Sequence, residues 1–441
     1  MTHLEGTTMQ TDRYGQTVST ADPDAAAAYF EAVDQYLALD GSAADGFARA
    51  VELDPGLAVA HLGLGLSLAS AGRDTEARDA FTAAVRLRRE GADRLDPREA
   101  HQIDLVTAPP AHLAAFAEHL DRHPGDLLVL GFAAGLLSTR RIAAGTGREG
   151  VLDLAARSSA VFPDDWALAG ICSLELEEAW QFAAAETAAE LSLRDRPDNR
   201  AACHGYVHVL HETGRIAQAE SFLEGWFDTR HPRSPLQTHL RWHHALVALE
   251  RDDAELGLHR YHAAIDPQVS SQRTTLVDSA AVLWRLRIDG HGDLPWSPVA
   301  ELARTQVHGP RSGLFDVHAA LALAVADHAT LHTLRAAWRA ETTRPNRDVI
   351  VAVLDGVAAH GEGRFDAAAQ HIGGVLAAVS LVGGSRLQQD IVVDTLCDAL
   401  ARSGDPGRAA DILEDRKRRR RSQRDERWIA ELRRQAAAAQ R

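Results

Sequence analysis

The sequence predicts an all-α protein, a right-handed superhelix built from helix pairs. Three observations carry that prediction. From Asp24 onward one helical segment of about 12–16 residues follows another, broken by Gly, Asp and Pro, and no period-2 run interrupts them. Aromatic residues make up 5% of the chain while alanine is abundant, which suits close-packed helices rather than a β-sandwich. A unit of helix, turn glycine and second helix recurs along the 441 residues. Each such pair exposes an apolar face that only its neighbours can cover, so the pairs must stack.

Taken in order, residues 1–23 are rich in Thr, Ser and Asp and read as a disordered tail. The array occupies 24–416, and a mixed-charge C-terminal helix occupies 417–441. The clearest unit runs from Asp54 to Arg88, DPGLAVAHLGLGLSLASAGRDTEARDAFTAAVRLR. Gly65 and Ala77 permit close helix contact, Gly72 makes the turn, and Ala77, Phe81 and Ala84 keep an A-x-x-x-F-x-x-A spacing. That unit resembles a tetratricopeptide repeat. The pattern returns from Gly214 to Trp226 (with Ala219 and Leu223), from Gly363 to Leu376 and from Gly404 to Arg416. Roughly nine or ten pairs are expected. Their first helices fall at about 55–71, 98–107, 124–137, 165–178, 198–212, 235–250, 274–289, 314–326, 346–361 and 386–403. In tetratricopeptide arrays the first helix lines the concave side, and every candidate site residue named below lies on one.

Composition excludes several functions. A formal charge of −15 argues against a general nucleic-acid binder, which needs clustered Lys and Arg. The one basic run, Arg416 to Arg421, continues into Arg424, Asp425 and Glu426 and reads as a solvated helix end. The chain has a single lysine, Lys417, and no G-x-x-x-x-G-K-[ST], so pyridoxal-phosphate, Schiff-base and P-loop nucleotide mechanisms are set aside. Arginine in place of lysine suggests a GC-rich bacterial genome. Cys172, Cys203 and Cys397 are odd in number and far apart, as buried thiols of a reducing compartment are. No apolar signal region opens the chain and no run of 18 apolar residues follows, so it is expected to be cytoplasmic and not to enter a membrane.

The stretch Asn199 to Leu249 holds seven of the 22 histidines. His204, His208 and His211 stand at i, i+4, i+7, and His239 and His243 at i, i+4, so each set forms a stripe on one helix face. If the two helices are neighbours, His204, His208, His239 and His243 could hold one divalent transition ion (Zn, Fe or Mn), with Asp316 or His318 completing a mixed shell. Without a metal, His204, His208, His243, His318 and Asp316 have the chemistry of general acids and bases. His211, His239, Trp242, Asp278, Trp284, Gln388 and Asp390 would then bind the ligand. Against these stands a plain alternative, that the histidines are hydrogen-bonded polar residues filling a narrow interior. Ser385 and Gln388 have their own structural explanation as a capping box, S-x-x-Q.

At these residues the chain resembles the tetratricopeptide repeat protein 38 family, from about Asp54 to Arg416. The shared stretches are REAH (Arg98 to His101), H-x-x-x-H-V (His204 to Val209) and H-x-x-W-H (His239 to His243). DSxxxLWRL (Asp278 to Leu286), D-x-H (Asp316 to His318) and GGSxxQ-x-D (Gly383 to Asp390) also agree. Departures are His211 where the family carries Glu, Phe315 where it carries Asn, and Gln389 where it carries Arg. The resemblance implies a fold and a pocket rather than a reaction. Two functions follow: a helical array enclosing a His- and carboxylate-rich pocket for a small polar or anionic molecule, or a scaffold gripping a protein or peptide along an open groove. The first needs a closed interior and the second an open one.

Overall fold

The computed structural model describes residues 11–91, 95–107, 113–138, 149–228, 234, 236–271 and 274–439. Among them there is no strand, and most consecutive helices pack against each other in pairs. Six pairs open the chain: α1 (Pro23–Leu37) with α2 (Ala43–Leu53), α3 (Ala58–Ser70) with α4 (Asp74–Glu90), and α5 (Pro97–Thr107) with α6 (Leu113–Arg122) come first. They are followed by α7 (Leu127–Ser138) with α8 (Glu149–Ser159), α9 (Trp166–Glu178) with α10 (Phe182–Asp195), and α11 (Arg200–Glu212) with α12 (Ile216–Asp228). Next come α13 (Gln237–Glu250) with α14 (Ala254–Ala264), α15 (Thr275–Ile288) with α16 (Trp296–Val307), and α17 (Gly313–Ala326) with α18 (His328–Ala340). The last are α19 (Arg347–Gly361) with α20 (Phe365–Gly373), a 3₁₀ segment (Leu376–Val382), α21 (Arg386–Arg402) with α22 (Pro406–Lys417), and a closing α23 (Gln423–Ala439). The fold class read from the sequence is that of the structure: all-α, built of tetratricopeptide-like helix pairs. No single described helix is long and apolar enough to cross a membrane.

One turn explains the repetition. Gly72, Gly214, Gly363 and Gly404 all have positive φ, between 73° and 95°. At each, the glycine N–H and the next N–H bond back into the helix just ended, as Gly72 N to Ala69 O and Arg73 N to Leu68 O. This is a Schellman closure, whose left-handed residue is ordinarily glycine. The same bonds close helices at Leu39, Trp180, Asp252 and Gly290. Three of those carry a side chain at φ between 53° and 65°, so the glycine signal was silent there. Close approach also behaves as the spacing implies: a Cβ on Gly65 would lie 2.6 Å from the Phe81 ring.

The contacts divide the chain into two units. The first takes Met1–Leu137, Arg141–Tyr206 and His231–Pro235; the second takes Ser138–Arg140, Val207–Arg230 and Leu236–Arg441. Helix α11 crosses the division between Tyr206 and Val207.

In the first unit the N-terminal segment corrects the composition reading. Residues 11–22 are not a free tail: Val18 is buried, Ser19 N–H donates to Glu99 Oε1 (2.8 Å), and Arg98 donates to the Thr17 carbonyl (2.9 Å). Tyr14 donates to Asp165 (3.0 Å), and Asp22 caps α1 through the N–H groups of Asp24 and Ala25. Four anchors of this kind outweigh a polar composition. Residues 1–10 lie outside the described residues.

In the second unit the first helices form an inner layer. Helix α15 packs against α13, α17 and α21, and all its residues but Arg287 are buried. Helices α15 and α21 are joined by Trp284 Nε1–H donating to Thr395 Oγ1 (2.9 Å) and by Arg285 donating to the Leu387 carbonyl (2.9 Å). The C-terminal basic run is a second correction. Arg418 and Arg419 are exposed, but Arg420 and Arg424 are buried, and the run straddles a turn between α22 and α23 rather than lying in one helix. Carboxylates from other helices draw these arginines inward, as the next subsection shows.

Candidate functional site

Helix α13 and the part of α11 that lies in the second unit bring imidazoles together. His208 lies on α11, His239 and His243 on α13, and all three are buried. One ring nitrogen from each lies within 4.8 Å of the others. The His208 and His243 rings meet edge to face with centroids 4.6 Å apart, and His239 and His243 do so at 4.9 Å. Trp242 stacks on His239 (4.9 Å, 15° between planes) and contacts His243 at 4.7 Å. Periodicity produces this arrangement, since residues four apart on α13 share the face that meets α11.

Asp278, on the neighbouring α15, orients the group. Its Oδ1 lies 2.8 Å from His239 Nδ1. That bond fixes Nδ1 as the protonated nitrogen and leaves the ring's lone pair on Nε2. Asp278 is 0% exposed, and its Oδ2 has no hydrogen-bond partner among the described residues. No arginine or lysine there reaches it within ion-pair distance, so a buried carboxylate rests on an imidazole. His204 is buried one turn before His208 on α11, but belongs to the first unit.

The remaining candidates separate clearly. Asp316 accepts from Gln306 Nε2 (3.0 Å), Ser312 N (3.1 Å) and Trp338 Nε1 (2.8 Å), with Arg311 at 3.5 Å. Burial pushes its carboxyl up, opposed by those bonds. Such saturation makes it a structural hub, not an acid or base. Trp284 belongs to the core, wedged between Trp296 and His360. Gln388 is spent in the capping box, its side chain accepting from Ser385 N (2.9 Å). His318 donates Nδ1–H to the Leu314 carbonyl (2.7 Å), while its buried Nε2 has no partner among the described residues. Complete burial lowers its pKa from 6.5 to about 4, so the ring is neutral.

His211 and Asp390 belong to a different place, a small, partly open cavity further along α11, α13 and α15. The sequence reading missed the charged residues that surround it. Asp394 accepts from Arg416 (2.8 Å) and Arg424 (3.0 Å), Asp390 binds Arg420, and Glu250 accepts from Ser422 Oγ (2.9 Å) and Arg424 N (3.1 Å). Surrounding guanidiniums hold the Asp394 carboxyl well below the usual range despite its burial. The available signal was charge set in or at the end of an apolar run: Arg285 in AVLWRL, Glu250 closing ALVALE, Asp394 in IVVDTL.

A further grouping, Glu220, Glu224 and His244, is tied up by Arg260, which forks onto Glu220. Cys203 and Cys397 are buried and Cys172 half-buried; none is disulfide-bonded, and burial raises all three thiols, that of Cys172 to about 12. None is an activated nucleophile.

No family model matches the chain. Among solved structures it is similar to the TPR domain of P58(IPK), at 11% identity and a TM-score of 0.24, covering 95% of this chain and 99% of that one. It is also similar to the Naa15/Naa10 structure bound to HypK, at 12% identity and a TM-score of 0.24. That match covers 90% of this chain and 58% of the other. Likenesses this low carry no argument, and the fold assignment rests on the helix pairs themselves.

Proposed function

We propose that the chain is an enzyme whose second unit holds a transition-metal ion and acts on a small polar or anionic molecule. One observation carries this reading: three clustered imidazoles, one of them held by a buried carboxylate that no arginine among the described residues neutralises. A buried negative charge of this kind calls for a nearby cation. The carboxylate–histidine pair is the arrangement that orients metal-ligating imidazoles and raises their basicity. His208, His239 and His243 are the protein ligands, all three of them in the second unit. A zinc-, iron- or manganese-class ion bound there would activate water or polarise a substrate oxygen. Asp278 keeps the His239 proton on Nδ1, and Trp242 shields the rings from water.

Membership of the tetratricopeptide repeat protein 38 family is part of the same proposal, supported by the ordered motifs from Arg98 to Asp390. A second reading, a scaffold for a protein partner, is favoured by the helix-pair architecture and by Trp180, an aromatic 40% exposed on the first unit. Metal analysis of protein purified without a histidine tag separates the two. The metal reading expects about one equivalent of ion per chain, lost in a His239→Ala/His243→Ala double variant whose helix content is unchanged. A wild-type protein devoid of metal after growth in metal-supplemented medium contradicts it and leaves the scaffold.

A further inference from the structure

The cavity beyond the imidazole cluster has an asymmetry in its hydrogen bonding. Its carboxylates are satisfied: Asp394 and Asp390 by arginines, Glu250 by Ser422 and a backbone N–H. Its donors are not. Arg285 donates its two terminal nitrogens to the carbonyls of Ala281 (3.1 Å) and Leu387 (2.9 Å). Its Nε stands 3.7 Å from Asp394, a carboxylate already shared by Arg416 and Arg424. Arg285 therefore lacks a counter-ion of its own, and burial lowers its pKa to about 10. Arg420 Nε is buried with no partner among the described residues, and so is His211 Nδ1, whose Nε2 lies 3.8 Å from Glu250. Facing these donors, Leu246, Leu249 and Leu387 supply an apolar wall.

We infer that this cavity binds a short-chain carboxylate, its acid group against Arg285 and Arg420 and its carbon chain against the three leucines. Surplus donors beside an undercompensated guanidinium select an acceptor carrying negative charge. The leucine wall and the small volume select a few methylenes over a bulkier or fully polar anion. This names the substrate class of the reading above and rests on it for the chemistry, since His211 follows His208 by one turn of α11. Binding itself does not require the metal.

Propionate is the probe, with propionamide as its neutral isostere and inorganic phosphate as a polar oxyanion, all titrated calorimetrically at constant ionic strength. Saturable 1:1 binding of propionate is expected, with propionamide and phosphate at least about tenfold weaker. Arg285→Lys keeps the charge but loses the planar fork, and should weaken propionate by about tenfold or more. Because that variant touches the core, the wild type is also melted with each probe: propionate should raise the midpoint and propionamide should not. Repeating the titration after metal removal by a chelator separates the two proposals. Propionate binding that survives chelation upholds the cavity whatever becomes of the metal. Binding that vanishes with the metal places the anion on the ion and overturns the cavity assignment while sparing the metal reading. Equal affinity for propionamide, preference for phosphate, or no saturable binding overturns the carboxylate assignment.

Discussion

Each unit buries a carboxylate against a histidine, and the two are in opposite electrostatic situations. In the first unit Asp126 lies 2.8 Å from His119 Nε2 and also accepts from Arg98 (3.2 Å) and Gln102 (3.3 Å). His119 passes the chain on to His101, nitrogen to nitrogen at 2.9 Å. An arginine there cancels the charge, and the histidines bridge helices α5 and α6. In the second unit Asp278 meets His239 with no arginine among the described residues, and two further imidazoles crowd the same spot. The lesson is that a histidine–carboxylate pair alone says little. What separates structure from function is whether the rest of the charge is already answered.

That contrast can be broken in four ways. The largest effect is expected at Arg98: Arg98→Met strands Asp126 and Glu99 in the interior and should cost roughly 3–5 kcal/mol of unfolding free energy, read by denaturant titration. Next, neutralising the carboxylates should have opposite consequences. Asp126→Asn strands Arg98 and destabilises by about 3 kcal/mol, whereas Asp278→Asn in metal-free protein should change stability by less than ~1 kcal/mol or raise it. The same Asp278→Asn should weaken metal binding by about 10–100-fold in a chelator-competition assay. Matching losses of stability for the two variants would erase the distinction between the units.

Acid should then act on the second unit through His318. Its pKa is about 4 in the folded chain, below the ordinary 6.5 of an unfolded histidine, because burial penalises the charged ring. The unfolded chain therefore takes up the proton first. This contribution to stability is intact above pH ~6.5 and is lost as pH falls toward 4, by roughly 3 kcal/mol in all. His318→Gln should flatten that part of the wild-type curve; an unchanged pH profile would show that His318 titrates normally. The smallest effect belongs to the turn after α9. Trp180 sits at φ 63°, where a side chain is strained, so Trp180→Gly should stabilise by about 1 kcal/mol, visible as a small rise in melting midpoint.

The helix pairs were legible because one turn geometry recurs and glycine announces it, and because small residues such as Gly65 mark close approach. Helical periodicity placed His208 and His243 on facing stripes. The sequence could not show which polar residues were already satisfied. Asp316 and Trp284 share a helix face pattern with Asp278, yet the first is saturated by Trp338, Gln306 and Ser312 and the second is absorbed into the core. Apart from Ser312, those partners come from segments 10 to 111 residues away in sequence, beyond any local pattern. For the same reason the basic run at Arg416 to Arg421 reads as solvated. Its burial depends on Asp390 and Asp394 of α21, which composition around the run does not reveal.

X-ray absorption at the metal edge of the purified, untagged protein tests the central claim most directly. A first shell of imidazole nitrogens at about 2.0–2.1 Å, three or four in number and reduced in His243→Ala, is the result expected for a zinc-class ion at His208, His239 and His243. A shell without imidazole, or one unchanged in His243→Ala, would contradict it.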